Sequence, residues 1–255
     1  MMALDDVVAS TTGPERMKEA NERTIRWIDR CFEGHQKPQL QNLFPIIQGG
    51  LDKDLRKECV EELVSKNAPG YAIGGLSGGE EKTLFVEIVH YTAQLMPKNK
   101  PRYLMGVGHP VDILICACLG VDMFDCVFPT RTARFGTAFS QYGDIRLRHT
   151  KFKYDLSPIQ VGCECETCQN YSKSFLNSVV TREEVAAHHL SKHNIHFNLN
   201  LMRGLQKAID EKNIEDYVKN FLRDWYRDEG KIPKWVEVGL KLAEIDQEGI
   251  FPLPN

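Results

Sequence analysis

The chain lacks a long hydrophobic run, a basic leader, a disulfide framework and a charge imbalance, and each absence removes a class of protein. Its longest apolar stretch, residues 113–119, falls far short of the roughly 20 residues a helical membrane span needs. Residues 1–8 carry Asp5 and Asp6 where a secretory signal would be basic, so the sequence reads as intracellular. Eight cysteines in 255 residues are too few and too unevenly placed for a disulfide scaffold, a device of small secreted chains. Lys and Arg number 32 against 35 Asp and Glu, a net charge of -3, so any nucleic-acid partner has to be met by a local basic patch. There is no internal repeat or low-complexity tract. With 42% hydrophobic and 26% charged residues, disordered and fibrous classes are excluded.

What is present is a strand and helix rhythm. Short apolar runs at 43–47, 71–73, 103–107 and 123–128 read as strands, each closed by Gly, Pro, Asp or Gln. Between them, 52–66 and 80–96 repeat apolar residues three and four apart, the pattern of amphipathic helices. Such a series predicts an α/β fold with a parallel sheet. The strand spacing suits a (β/α)₈ barrel or a doubly wound sheet, and periodicity alone leaves that choice open. Residues 1–6 look like the end of a buried strand, which gives about five strands in all. After Thr130 the rhythm breaks. Residues 131–160 read as loop and hairpin, 163–168 as a cysteine loop, and 182–226 as two or three helices with apolar positions at Leu190, Ile195, Leu199, Leu201, Leu205 and Ile209. The tail from Lys231 is weakly helical and is stopped by Phe251-Pro252-Leu253-Pro254.

Cys163-x-Cys165-x-x-Cys168 places three thiolates in one tight loop, a spacing suited to a tetrahedral ion. His188, His189, His193 and His196 follow, any of which could complete the shell, and a closed Cys₃His shell predicts structural zinc rather than a catalytic metal with an open position. A redox pair at Cys165 and Cys168 would need a thioredoxin-like context that is not evident. Cys31, Cys59, Cys116, Cys118 and Cys126 read as small buried hydrophobes. Gly74-Gly75-Leu76-Ser77-Gly78-Gly79-Glu80 follows a strand and opens a helix. Ser77 and Glu80 would make a capping box, or the glycines would admit a flat ligand close to backbone N–H groups. Asp125 lies in an otherwise apolar strand, where a carboxylate is costly unless it sits at the strand end or in a site, and C-terminal strand ends are where catalytic groups collect. Asp5 and Gln48 occupy similar positions. Residues 131–153 hold Arg131, Arg134, Arg146, Arg148, Lys151 and Lys153 against the single acid Asp144. Phe135, Phe139, Tyr142 and Phe152 are interleaved, the pairing of cations and rings expected for single-stranded or looped RNA.

Taken together, Phe124-Asp125-Cys126-Val127-Phe128-Pro129-Thr130-Arg131, Ile47-Gln48-Gly49-Gly50, the 74–80 turn, Tyr103-Leu104-Met105-Gly106-Val107-Gly108, and the CxCxxC with His193-Asn194-Ile195 resemble the tRNA-guanine transglycosylases, most closely the catalytic-subunit branch that inserts queuine in eukaryotes. The resemblance runs over essentially the whole chain. It implies a (β/α)₈ TIM barrel with a zinc-binding insertion and C-terminal helices, a single domain over 1–255 in which 131–212 holds the tRNA-binding loop and the zinc-binding subdomain. It implies a pentosyltransferase that exchanges guanine for queuine at position 34 of tRNAs with GUN anticodons. Carried over, Asp125 is the nucleophile, Asp5 and Gln48 bind the base edge, the backbone at Gly75 and Leu76 adds base contacts, and Tyr103 and Met105 sandwich the flipped base. Gly78 replaces a bulkier bacterial residue and leaves room for queuine. Arg131 and Arg134 grip the anticodon loop, and Cys163, Cys165, Cys168 and His193 bind Zn²⁺.

The resemblance further implies a heterodimer with a non-catalytic transglycosylase subunit and a cytoplasmic location, peripheral on the mitochondrial outer membrane. One departure stands out. Relatives carry an upstream Asp-Ser/Thr-Gly-Gly-Phe-Gln segment whose Asp is the general base. No such segment is in this sequence, so the barrel is expected to be incomplete at its N-terminus and turnover by this chain alone to be low. The competing reading is a non-catalytic, zinc-stabilised tRNA-binding scaffold.

Overall fold

A computed structural model describes residues 1–180 and 184–251. The element order is α1 (Pro14–Gly34), β1 (Ile46–Ile47), α2 (Lys53–Ser65), β2 (Tyr71–Ile73), α3 (Lys82–Leu95), β3 (Arg102–Met105), α4 (Pro110–Cys118), β4 (Met123–Asp125), α5 (Phe128–Arg134), β5 (Thr137–Ser140), β6 (Gly143–Arg146), α6 (Glu166–Asn170), α7 (Lys173–Val179), α8 (Glu184–Asp210), α9 (Ile214–Trp225) and α10 (Lys234–Leu242). The chain divides into two compact units. The first comprises Met1–Val107, Ile115–Asp125 and Lys234–Ile245; the second comprises Gly108–Leu114, Cys126–Pro233 and the segment from Asp246. Among the described residues no helix is long and apolar enough to cross a membrane.

The first unit is built on a parallel sheet in the order β1-β2-β3-β4. Every residue of β1 and β2 is buried, as expected of parallel strands covered on both faces. Cys59, Val60 and Leu63 of α2, and Phe85, Val86, Ile88 and Val89 of α3, supply apolar cover. The register pairs Ile47 with Ile73, Ile73 with Leu104 and Met105 with Asp125, so Gln48, Gly74, Met105 and Asp125 come to one edge of the sheet, at the C-terminal ends of its strands. Asp52 caps α2, its carboxylate accepting from the Asp54 and Leu55 amides at 2.9 and 3.1 Å. In α10, Gly239 admits Ile115, whose Cγ2 would stand 2.4 Å from a Cβ there.

The second unit packs α5 and the antiparallel hairpin β5–β6 against the long α8. Ala133, Ala138, Leu147, Leu176 and Leu190 form its core, all without solvent exposure. A separate group of rings joins His109, Phe128, Phe139 and Trp225, with edge contacts of 5.5 to 6.5 Å from His109 to the other three.

Several expectations need correction. The strand expected at 123–128 ends at Asp125, and Phe128 already begins α5 because Pro129 has a φ preset for a first helical turn. Arg131 and Arg134 therefore stand on the last turn of a helix, not in a loop. The opening strand survives as a single parallel bridge between Met2 and Phe44. The α/β class and the parallel sheet are as expected, with four strands paired among the described residues. Helix α1 was not foreseen, although Pro14 at its first turn and the buried series Met17, Ala20, Asn21, Thr24 and Ile28 have helical spacing. In α8, Leu190, Leu201 and Leu205 are buried as expected, but Ile195, Leu199 and Ile209 are exposed. The expected stop at Pro252 to Pro254, and the expected helix start at Arg182, lie outside the described residues.

Candidate active site and metal centre

Asp125 closes β4 with its side chain exposed. The Tyr103 hydroxyl donates to its Oδ1 at 2.5 Å and the Gly106 amide donates to the same oxygen at 3.2 Å. Burial first, then that bond to Asp125, raises the Tyr103 phenol, so it stays a donor. Tyr103 and Met105 are two apart on β3 and share the half-buried face, opposite the buried Arg102 and Leu104. One carboxylate oxygen is thus anchored twice while the carboxylate faces solvent.

At the other side of the same sheet edge, Gln48 is buried and its Nε2 donates to Asp5 Oδ2 at 2.5 Å. Burial raises the Asp5 carboxyl against the opposing effect of the Gln48 bond. Gln48 Oε1 has no partner. A Cβ on Gly75 would stand 2.3 Å from that oxygen, and Gly75 has φ +68°, so glycine is required both for space and for conformation. The expected capping box is not formed. Helix α3 is capped instead by Glu81, which accepts from the Thr83 and Leu84 amides. Glu80 holds the turn itself: its carboxylate accepts from the Ser77 amide at 2.5 Å, the Gly78 amide at 2.9 Å and the Ser10 hydroxyl at 3.1 Å. Burial opposes the charge on Glu80, yet these backbone donors keep its carboxyl low. They also hold Ser77 at φ 61°, a left-handed conformation a non-glycine residue adopts at a cost. Leu76 lies inside this turn, and a Cβ on Gly78 would meet Ser10 Oγ at 3.3 Å.

In the second unit, Cys163, Cys165, Cys168 and His193 bring one ligand atom each to within 4.8 Å of one another. The Cys165 Sγ caps the short α6 by accepting from the Cys168 amide at 3.3 Å, which curls Cys168 back beside it. His193 Nδ1 lies 3.9, 3.4 and 3.4 Å from the sulfurs of Cys163, Cys165 and Cys168. Tetrahedral bonds of about 2.3 Å to sulfur and about 2.0 Å to nitrogen require S···N edges of roughly 3.5 Å, so the donor set suits zinc. His193 is fully buried, and its Nε2–H donates to the Phe139 carbonyl at 2.7 Å, which leaves Nδ1 to face the sulfurs. Burial opposes a thiolate at Cys165, but the His193 imidazole and the Cys168 amide bring it down to about 6. His189, four residues earlier, is not in the cluster; its ring rests on Tyr171 at 4.1 Å. Of the remaining cysteines, Cys59 and Cys116 are buried, while Cys31, Cys118 and Cys126 are partly exposed.

Arg131 and Arg134 lie on one face of α5, both exposed, and among the described residues no carboxylate pairs with either. A family model described as queuine tRNA-ribosyltransferase matches residues 1–227. The chain belongs to the queuine tRNA-ribosyltransferase family. It is 48% identical over 254 residues to the queuine tRNA-ribosyltransferase catalytic subunit of Schizosaccharomyces pombe, covering 96% of this chain and 63% of that protein. Against the catalytic subunit of Caenorhabditis elegans it is 48% identical over 227 residues, 89% of this chain and 56% of that one. A queuine tRNA-ribosyltransferase of Staphylococcus aureus is 44% identical over 226 residues, 88% of this chain and 60% of that protein. The chain thus spans about three fifths of the length of these curated relatives.

In this queuine tRNA-ribosyltransferase family member, two residues organise the sites in roles the sequence did not disclose. Arg56 is completely buried; its Nε donates to the Gly50 carbonyl at 2.6 Å and its Nη2 to the Gly74 carbonyl at 2.9 Å. It ties the loop after β1 to the loop after β2, and burial pulls its guanidinium down to about 10. The available signal was its place in α2: with Cys59, Val60 and Leu63 it completes an i, i+3, i+4, i+7 apolar face. Asn194, also fully buried, accepts from the Phe139 amide at 3.0 Å and donates to the carbonyls of Pro129 and Thr137 at 2.9 and 3.1 Å. It fixes α5 and β5 to the helix that carries His193.

Proposed function

We propose that the chain carries the catalytic half of a tRNA-guanine transglycosylase that exchanges guanine 34 of GUN-anticodon tRNAs for queuine. The observation that carries this reading is the solvent-facing Asp125 at a strand end, with Oδ1 held by Tyr103 and Gly106. Attack of the free carboxylate oxygen on C1′ breaks the bond to guanine N9, and guanine leaves with the bonding pair and takes up a proton. The resulting ribosyl ester is opened when N9 of queuine attacks C1′ and gives up its own proton, so two inversions give retention. Splitting one hard displacement in two is what a carboxylate nucleophile contributes.

The base would be flipped between Tyr103 and Met105, with its donor edge on Asp5 and on the unpartnered Gln48 Oε1, and with backbone contacts at Gly75 and Leu76. Gly78 leaves the space that queuine's ring substituent needs. Arg131 and Arg134 would hold anticodon-loop phosphates. Cys163, Cys165, Cys168 and His193 would hold Zn²⁺, which supplies folding energy to the 131–212 region rather than reaction chemistry. In this reading the four parallel strands are part of a (β/α)₈ barrel, the partner is a non-catalytic transglycosylase subunit, and the compartment is the cytoplasm or the mitochondrial outer surface.

The test is adduct trapping. Incubated with an unmodified GUN tRNA and a slow base analogue, the protein should give a tRNA adduct stable on a denaturing gel, and Asp125→Asn should give none. An adduct formed by Asp125→Asn overturns the nucleophile. A wild-type protein that binds tRNA but never forms the adduct overturns the catalytic reading in favour of a zinc-stabilised tRNA-binding scaffold.

A further inference from the structure

We propose that the second unit carries a two-nucleotide track for single-stranded RNA, formed by two adjoining cavities that share Arg148. The first cavity, about 520 Å³, is lined by Phe135, Thr137, Arg146, Arg148 and His149. The second, about 580 Å³, places Arg148 and Lys153 beside Tyr154 and the hydroxyls of Thr150, Ser174 and Ser178. Both volumes fall in the roughly 300–1,000 Å³ range of small-ligand sites. Among the described residues no carboxylate lines either cavity, in a chain whose net charge is -3.

The rings supply the second half of the argument. Phe135 at 65% and Tyr154 at 81% exposure are the two most exposed aromatic side chains among the described residues, and each cavity holds one of them. Tyr142, the next, has the Arg227 guanidinium close over it, 3.9 Å from its ring centre, whereas the Lys153 ammonium stands farther off from Tyr154, at 5.3 Å. An exposed ring beside cations is the arrangement that stacks a base while phosphates are held alongside. Arg148 is also positioned rather than loose. A Cβ on Gly136 would meet its Cγ at 3.1 Å and its Nε at 3.2 Å, so its stem lies flat over Gly136, which has φ +82°.

The proposal rests on the reading of this chain as a tRNA-binding protein, and the experiment separates the two. Fluorescent GUN tRNA and its isolated anticodon loop are titrated with wild type, Phe135→Ala, Tyr154→Ala and Arg148→Gln over a salt series, with heparin as a polyanion that has no bases. Each ring variant should weaken RNA binding by roughly 5- to 150-fold, the worth of one stacked base, without altering the salt slope or heparin affinity. Arg148→Gln keeps the stem over Gly136 and should lower the slope of log affinity against log salt by about 0.7. If wild type binds tRNA and all three variants match it, the track is refuted and the proposed function stands. If only Arg148→Gln has an effect, the surface is a plain polyanion patch and the track is again refuted. If wild type binds no tRNA, both readings fall.

Discussion

Arg56→Met tests whether a buried cation serves the site loops or merely the core. The substitution keeps an unbranched apolar stem and removes the bonds to the Gly50 and Gly74 carbonyls, 2.6 and 2.9 Å long. Hydrogen bonds to a charged group contribute about 1.5–3 kcal/mol each, so the loss is roughly 3–6 kcal/mol. Against this stands the cost of burying the guanidinium, which is pulled down to about 10. That is more than two pH units below its ordinary value, or roughly 3 kcal/mol, and its Nη1 has no partner. The two nearly cancel, and a net destabilisation of about 0–3 kcal/mol is expected in urea unfolding. The local effect should be larger. Amides of residues 48–51 and 74–76 should exchange faster with deuterium, and guanine affinity should fall, because the two loops lose their common anchor. Arg56→Lys should not restore them, since a single ammonium lacks the planar fork that reaches both carbonyls. A stability loss above about 5 kcal/mol with exchange unchanged in both loops would refute the clamp and leave Arg56 a packing residue.

Purified protein should carry one zinc per chain, and Cys165→Ser or a strong chelator should lower the unfolding midpoint of the second unit; metal analysis showing zinc retained in Cys165→Ser would sink the ligand set. Asn194→Leu leaves the Phe139 amide without its partner and takes a bond from each of the Pro129 and Thr137 carbonyls, at about 1–3 kcal/mol for a group so stranded, and should cost at least about 2 kcal/mol in thermal unfolding; a loss under about 1 kcal/mol counts against it. Gly75→Ala should break the Gln48–Asp5 bond and weaken base binding, and an unchanged affinity for guanine would show that Gln48 is not the base contact. The Asp155 carboxyl is held down to about 2, chiefly by the Ser157 hydroxyl and then by Lys173. Its folded value lies below its unfolded one, so its stabilisation is complete above about pH 4 and is lost as the pH falls toward 2. Asp155→Asn should flatten that part of the acid limb, and an unaltered limb would contradict the assignment.

What was legible in the sequence follows from the distance over which each signal acts. Strand β2 was readable to the residue because Tyr71, Ala72 and Ile73 are all buried between helices, and an unbroken apolar run needs no partner to be noticed. The cluster of Cys163, Cys165 and Cys168 was readable because the three thiols are confined to one loop. His193 was not separable from His188, His189 and His196 by spacing. What separates them is the Phe139 carbonyl bonded to Nε2, which lies 54 residues away in the chain. The basic stretch 131–153 was visible as composition. Its division between helix α5 and the hairpin β5–β6 was not, because the apolar Phe124 to Phe128 run conceals the break before Pro129.

The residues whose roles the sequence did not disclose share one property: each is a polar side chain whose partners include backbone carbonyls or amides, and backbone atoms leave no trace in the alphabet. Arg56 bonds Gly50 and Gly74, Glu80 bonds Ser77 and Gly78, and Asn194 bonds Pro129, Thr137 and Phe139. A glycine-rich turn read alone gives two equal accounts, a helix cap or a place where a flat ligand approaches. The structure separates them by showing that the cap belongs to Glu81 and that Glu80 instead turns its carboxylate on the loop. With the cap assigned elsewhere, the glycines at 74 and 75 have no remaining role in starting the helix. Their tight approach to Gln48 then leaves the packing of that side chain at the strand end as the feature that requires them.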